Sequence, residues 1–231
     1  MIIANKNDPN FLMKSKNLIS HKDRVMLHAF KEINNMADRL NLPKILVDRS
    51  CHFFKQAYTS NAMKGKRIDA IIAGSIYIAC RCEGVPRTLK ELCAVSGISK
   101  IDIGRIFKKI KLNIDSNVNS VNPDSYIERF CSNINLPRSV IKLARHICLR
   151  SMDMNLVTGR SPLSIAAVSI SLAAILHTRK PFNIKKIADD CGVSDSTIKN
   201  VFKILKPDLP ALVDSEYVDL KFFETLDSYF V

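Results

Sequence analysis

The side chains of this sequence whose types and spacing could do chemistry lie in the run Ser194-Asp195-Ser196-Thr197-Ile198-Lys199-Asn200, and that chemistry is non-covalent. Small hydroxyl and amide groups in the exposed first turns of a helix can read base edges in a DNA major groove, and Lys199 and Lys203 can touch phosphate. Covalent catalysis has no comparable cluster. His21, His28, His52, His146 and His177 are scattered, and there is no Gly-rich phosphate loop, Ser/His/Asp arrangement or HExxH. Seven cysteines at irregular spacing, without a CxxC pair, suit a reducing compartment and a structural core rather than a disulfide framework. Cys80 and Cys82 are two apart on an expected helix, where side chains diverge by about 160°, so they cannot chelate one metal. The sequence predicts neither an enzyme nor a metal site.

The charge balance points the same way. Against 22 acids stand 35 Lys and Arg, a net charge of +13 that favours a polyanionic partner. Residues 1–115 carry 21 basic and 10 acidic side chains, whereas 116–231 carry 14 and 12. Most of the drop comes from an acidic, aromatic tail, 208–231, which holds Asp208, Asp214, Glu216, Asp219, Glu224 and Asp227 against Lys221. Its aromatic residues suggest that part of it packs on the second half; screening of a basic face is the alternative. No stretch reaches the roughly 18–20 apolar residues needed to cross a bilayer, and no signal-peptide core opens the chain, so a soluble intracellular protein is expected.

The elements that must position these groups come as a repeat. Sliding the chain by 95 places residues 86–110 without a gap over 181–205. Identities include Pro86/Pro181, Lys90/Lys185, Gly97/Gly192, Ser99/Ser194, Phe107/Phe202 and Lys108/Lys203. Apolar matches such as Leu92/Ile187 and Ile106/Val201 keep one buried face common to both copies. Upstream, Asn41-Leu42-Pro43 matches Asn135-Leu136-Pro137 at an offset of 94, so the duplication spans most of the chain.

About five helices are expected in each copy. Pro43, Pro137 and Pro162 suit first-turn positions, where the missing N–H costs nothing, with Ser161 as an N-cap. Ser99 and Ser194 cap the last helix of each copy, with Asp102 and Asp195 near the positive end of the helix dipole. Residues 69–80 and 161–176 are apolar on nearly every face, the pattern of a helix surrounded by others. Each copy then closes with a short helix, a glycine turn and a capped helix, which is helix-turn-helix grammar. Any helical bundle contains such corners, so this grammar alone does not establish DNA recognition. The first copy's last helix opens with Ser99-Lys100-Ile101-Asp102 and carries Arg105, Lys108 and Lys109. Its acid would repel phosphate, and the face reads as a site for an acidic protein or as ordinary solvated charge.

At these residues the chain resembles the eukaryotic general transcription initiation factor IIB family. The likeness is carried by MADRLNLP (36–43), YIACRCEGVPRTLKELCAVSGISKIDIGRIFKKI (77–110), FCSNINLP (130–137) and GRSPLSIAAVSI (159–170). It implies an all-α fold of two tandem cyclin-like five-helix repeats, each ending in a helix-turn-helix. The expected layout is a divergent N-terminal segment (1–19), a first repeat (20–115), a second repeat (116–207) and the acidic tail.

What the family does is implied with the same warrant: it binds promoter DNA bent by TATA-binding protein and bridges it to RNA polymerase II in the nucleus. The resemblance assigns major-groove reading upstream of the TATA box to Ser196, Thr197 and Lys199. Animal relatives carry valine and arginine where this chain has Ser196 and Lys199, and losing a bidentate guanine contact should blur sequence preference. The loop Met63-Lys64-Gly65-Lys66-Arg67 resembles the family's minor-groove loop, with Lys64, Gly65 and Lys66 at the DNA; its bland counterpart is a solvated basic turn. Arg160, at a helix start, resembles a phosphate contact. Arg81, Lys100 and Arg105 fall where the family meets TATA-binding protein, although relatives commonly have two successive basic residues where this chain has Lys100-Ile101.

The family's N-terminal zinc ribbon has no counterpart among the first 50 residues, so either a core fragment or a reduced form of the factor is expected, the fragment being favoured, with no cofactor in this chain. A monomer with no membrane partner is expected. Rival readings are a kinase-activating cyclin, which has no need of two basic helix-turn-helix corners, and the archaeal or RNA polymerase III counterparts of the same factor.

Overall fold

A computed structural model describes residues 20–60, 63–113 and 122–213, together with Leu226. Contacts divide them into two compact units. One holds 20–83 and 89–113; the other holds the turn 84–88 and the described residues from 122 onward. Each unit has the five helices expected of one repeat, the second with a further short helix after them, and the described residues contain no strand.

The first unit runs α1 (His21–Arg39), α2 (Lys44–Thr59), α3 (Ile68–Cys82), α4 (Leu89–Ser96) and α5 (Lys100–Asn113). The hydroxyl of Ser20 accepts from the Asp23 N–H at 3.2 Å and so caps α1. Every residue from Ala70 to Cys80 except Tyr77 is buried, which makes α3 the central helix on which α1, α2 and α5 pack. Its Ser75 returns its hydroxyl proton to the Ile71 carbonyl at 2.8 Å, so a polar group sits in the core without cost. The second unit runs α6 (Asp124–Asn133), α7 (Arg138–Asp153), α8 (Pro162–Thr178), α9 (Ile184–Cys191) and α10 (Asp195–Leu205). A 3-10 turn, Lys206–Asp208, and a short α11 (Leu209–Leu212) follow. Thirteen successive residues of α8, Ser164 to Leu176, are buried, the signature of the apolar pattern on all faces.

Pro162 occupies the first turn of α8 behind the Ser161 cap, as the sequence suggests. Pro43 and Pro137 stand one position earlier, as extended cap residues with ψ of 155° and 156°. A proline ring restricts φ but leaves ψ free to be extended, so it serves either position. Of the tail, Leu226 is described, and it is fully buried in the core of the second unit with Leu209, Leu212 and Val213. That favours packing at this residue; the other tail residues beyond 213 lie outside the described ones.

α3 and α5 cross at Gly74. A methyl group there would stand 2.5 Å from Ile106 Cγ2 and 3.2 Å from Ile106 Cβ, and both belong to a fully packed helix face. Gly74→Ala gains about 1 kcal/mol of helix propensity but forces the helices apart, and overpacking of this kind costs about 1–3 kcal/mol. A net loss is expected, read as a lower urea midpoint by circular dichroism; an unchanged or higher midpoint would show that α5 yields freely.

The cysteines divide by burial as a structural role requires. Cys80, Cys131, Cys148 and Cys191 are buried, whereas Cys51, Cys82 and Cys93 are half-buried. Burial pushes the Cys131, Cys148 and Cys191 thiols up to about 12, so almost no thiolate forms at neutral pH. A thiol reagent at pH 8 is expected to modify no more than Cys51, Cys82 and Cys93 in the native protein, and the four buried ones on adding denaturant. Rapid native labelling of Cys148 or Cys191 would contradict this. Because these folded-state values lie above 9, unfolding releases protons as pH rises past 9. Stability should therefore hold below pH 9 and decline between 9 and 12.

Candidate nucleic-acid interface

The second unit's helix-turn-helix is α9, a left-handed glycine at Gly192 with φ of 72°, and α10. Ser194 is the hub of the cap. Its hydroxyl accepts from the Thr197 N–H at 3.2 Å and lies 2.7 Å from Thr197 Oγ1 and 2.9 Å from Ser196 Oγ. Thr197 and Lys199 are half-buried, while Ser196, Asn200 and Lys203 are exposed. The exposed three fall at i, i+4 and i+7, so they share one stripe of α10 opposite its buried Ile198, Val201, Phe202 and Leu205. Asn200 belongs to this stripe and extends the set of candidate readers, since an amide can make paired hydrogen bonds to adenine. The signal for it is helical spacing from Ser196.

Arg160 is exposed in the turn before α8, beside Gly159 with φ of 79°. Its own N–H donates to the Val157 carbonyl at 3.1 Å, which holds the turn and leaves the guanidinium outside it.

In the first unit the basic loop is a ridge. Met63 is buried at 3% exposure and anchors it, whereas Lys64, Gly65, Lys66 and Arg67 are exposed. Gly65 adopts φ of +76°, and no atom lies within 4 Å of where a Cβ would stand. Glycine is favoured there by the left-handed backbone, and the open space leaves the crest bare. The Lys66 N–H closes the turn onto the Met63 carbonyl at 3.0 Å.

On one flank of the ridge, 65–67 and α5 enclose a groove of about 390 Å³ with Arg105, Lys108 and Lys109 on its wall. Asp102, which from sequence looked repulsive to phosphate, is tied down. Arg105 lies 3.5 Å from its Oδ1, and Oδ2 accepts from the Ser99 hydroxyl at 2.7 Å. Lys100 and Ile101 are both exposed, Ile101 at 65%. Arg81 is placed differently: it is half-buried, with its guanidinium 5.8 Å from the Tyr77 ring centroid and 5.5 Å from that of Phe107. Stacking there means that the side chain also serves the packing of α3 on α5. The structure thus brings Gly65, Lys66 and Arg105 to one groove and leaves Arg81 outside its lining.

The model of the family described as "Transcription factor TFIIB repeat" matches residues 22–113 and again 116–208. This chain belongs to that family. Its TFIIB-repeat relatives include Transcription initiation factor IIB of Mus musculus, 44% identical over 208 residues, and that of Homo sapiens, 43% identical over 208 residues. The alignment with each covers 90% of this chain and 66% of the relative. The Drosophila melanogaster factor is 42% identical over 214 residues, covering 93% of this chain and 67% of its own length. This TFIIB-repeat chain therefore spans about two thirds of the length of those relatives. Their name is that of a transcription factor and not of an enzyme, in keeping with a sequence that lacks a catalytic constellation. Among solved structures, the yeast RNA Pol II CTD kinase CTDK-1 complex matches 96% of this chain and 81% of its own at 16% identity. Its TM-score of 0.42 is too low to bear on function.

Among the described residues no group of three or more His, Cys, Asp or Glu could hold a metal ion.

Proposed function

We propose that this chain is the core of a general transcription initiation factor, which binds the complex of TATA-binding protein with promoter DNA and bridges it to RNA polymerase II in the nucleus. The observation that carries the reading is the match of both repeats, over 90% of the chain, to proteins named Transcription initiation factor IIB. The geometry is consistent with it. The α10 stripe of Ser196, Asn200 and Lys203, with Thr197 and Lys199 beside it, offers the major groove one helical face. The ridge of Lys64, Gly65 and Lys66 offers the minor groove a bare, cationic crest. Arg160 adds a phosphate contact. Lys100 and Arg105, with Arg81 behind them, offer TATA-binding protein cations.

The test is a gel-shift titration on a TATA-box duplex with and without TATA-binding protein. A supershift of the protein–DNA complex is expected. The absence of any supershift, even at low salt, would move the function towards a cyclin-like protein-interaction module.

A further inference from the structure

The far flank of the 63–67 ridge carries a second trough, of about 790 Å³, that neither the family likeness nor the sequence singled out. It is walled by the N-terminal turn of α1, the C-terminal turns of α2 and the ridge itself. Lys22, Lys55, Lys64 and Lys66 all line it. The facing carboxylate is Asp23, and it already accepts from the Ser20 hydroxyl at 2.7 Å. None of the four lysines forms an ion pair with a described residue. Four like charges held around one groove repel each other, and a polyanion relieves that repulsion.

The shape of the site identifies the polyanion. Gly65 and Lys66 line both troughs, so the loop is a crest with a basic depression on either side. A DNA minor groove is the complementary form: a channel roughly 6 Å wide and 7.5 Å deep, walled by two phosphate strands. A crest that enters the channel must leave one strand on each flank. We propose that this second trough carries the sugar-phosphate backbone of one strand, with Lys22 and Lys55 as phosphate contacts additional to the ridge. The proposal rests on the initiation-factor reading above.

An acidic peptide is the other polyanion to weigh, and the charge density of the trough favours phosphate over it. Met26, Tyr58, Ile68 and Ile71 also line the trough, but its charge is concentrated in four lysines against one carboxylate that is already bonded to Ser20, the balance of a phosphate strand's partner. Lysine is a compact point charge that accepts phosphate from many directions, which suits contact without sequence reading.

The experiment measures the affinity of the full chain for the TATA-binding protein–duplex complex across a salt series. Wild type is compared with Lys22→Gln/Lys55→Gln and with Lys31→Gln/Lys44→Gln, two exposed lysines outside either trough. Each lost phosphate contact lowers the magnitude of the log K against log salt slope by about 0.9, so the trough variant should lose about 1.8 and the control almost nothing. An unchanged slope in the trough variant, with its circular dichroism intact, would overturn the proposal. So would a variant that binds DNA normally but loses affinity for TATA-binding protein free of DNA, since the trough would then belong to a protein. Failure of wild type to form the complex would be a different result: it would remove the initiation-factor reading and this proposal with it.

Discussion

Lys64→Glu combined with Lys66→Glu is expected to weaken the ternary complex with TATA-binding protein and a TATA duplex by on the order of 10²-fold at 0.1 M salt. Both lysines are exposed on the ridge, and neither has an ion-pair partner among the described residues. Each phosphate contact contributes about 0.9 of a decade per decade of salt, so removing two costs nearly two decades relative to 1 M, and reversing the charges adds repulsion. Surface substitutions of this kind seldom move stability by more than about 0.5 kcal/mol, so the thermal midpoint should stay in place. Competition gel shifts read the affinity. A double variant that binds as tightly as wild type would make the loop an ordinary solvated turn.

A larger cost in stability is expected from Phe202→Ala. Phe202 is 2% exposed and lies on the buried face of α10, in one core with Ile198, Val201 and Leu205. Removing a buried phenyl ring costs about 3–5 kcal/mol in transfer and cavity free energy, a large share of the 5–15 kcal/mol that usually holds a domain together. The loss falls on the helix that presents Ser196, Asn200 and Lys203, so DNA binding should fail with it. Phe107 is the matching residue of the first repeat, but it is half-buried under Arg81 rather than enclosed. Phe107→Ala should therefore cost less than Phe202→Ala. Circular dichroism melts of the two variants check the order, and equal losses would contradict the difference in burial.

The contrast between these two phenylalanines shows what was legible in the sequence. Alignment of the chain with itself paired them, and the apolar periodicity assigned both to the shared face of their helices. The caps at Ser99, Ser161 and Ser194 were readable for a local reason, because each side chain bonds an N–H three residues on. The central helices were readable because an apolar pattern on all faces admits few other places in a small bundle.

Groups brought together from distant elements were not readable. Lys22 and Lys55 sit on two helices, and no spacing rule places them beside Lys64; the packing of α1 and α2 against α3 does so. The share of Arg81 in packing α3 on α5 was not readable because its stacking on Phe107 joins residues 26 positions apart in sequence. Asp102 reads as repulsive because its ties to Ser99 and Arg105 depend on side-chain rotamers. The Ser196 hydroxyl likewise lies against the cap at Ser194, so one of its hydrogen-bonding directions is already shared within the helix cap.

The proposed function requires each repeat to present its own surface to DNA: the α10 stripe to a major groove and the 63–67 ridge to a minor groove. Hydroxyl-radical footprinting of the ternary complex on a TATA duplex tests it most directly. Protection beyond that given by TATA-binding protein alone is expected on both sides of the TATA box, with the Lys64→Glu/Lys66→Glu variant losing it on one side only. A footprint no wider than that of TATA-binding protein alone would contradict it.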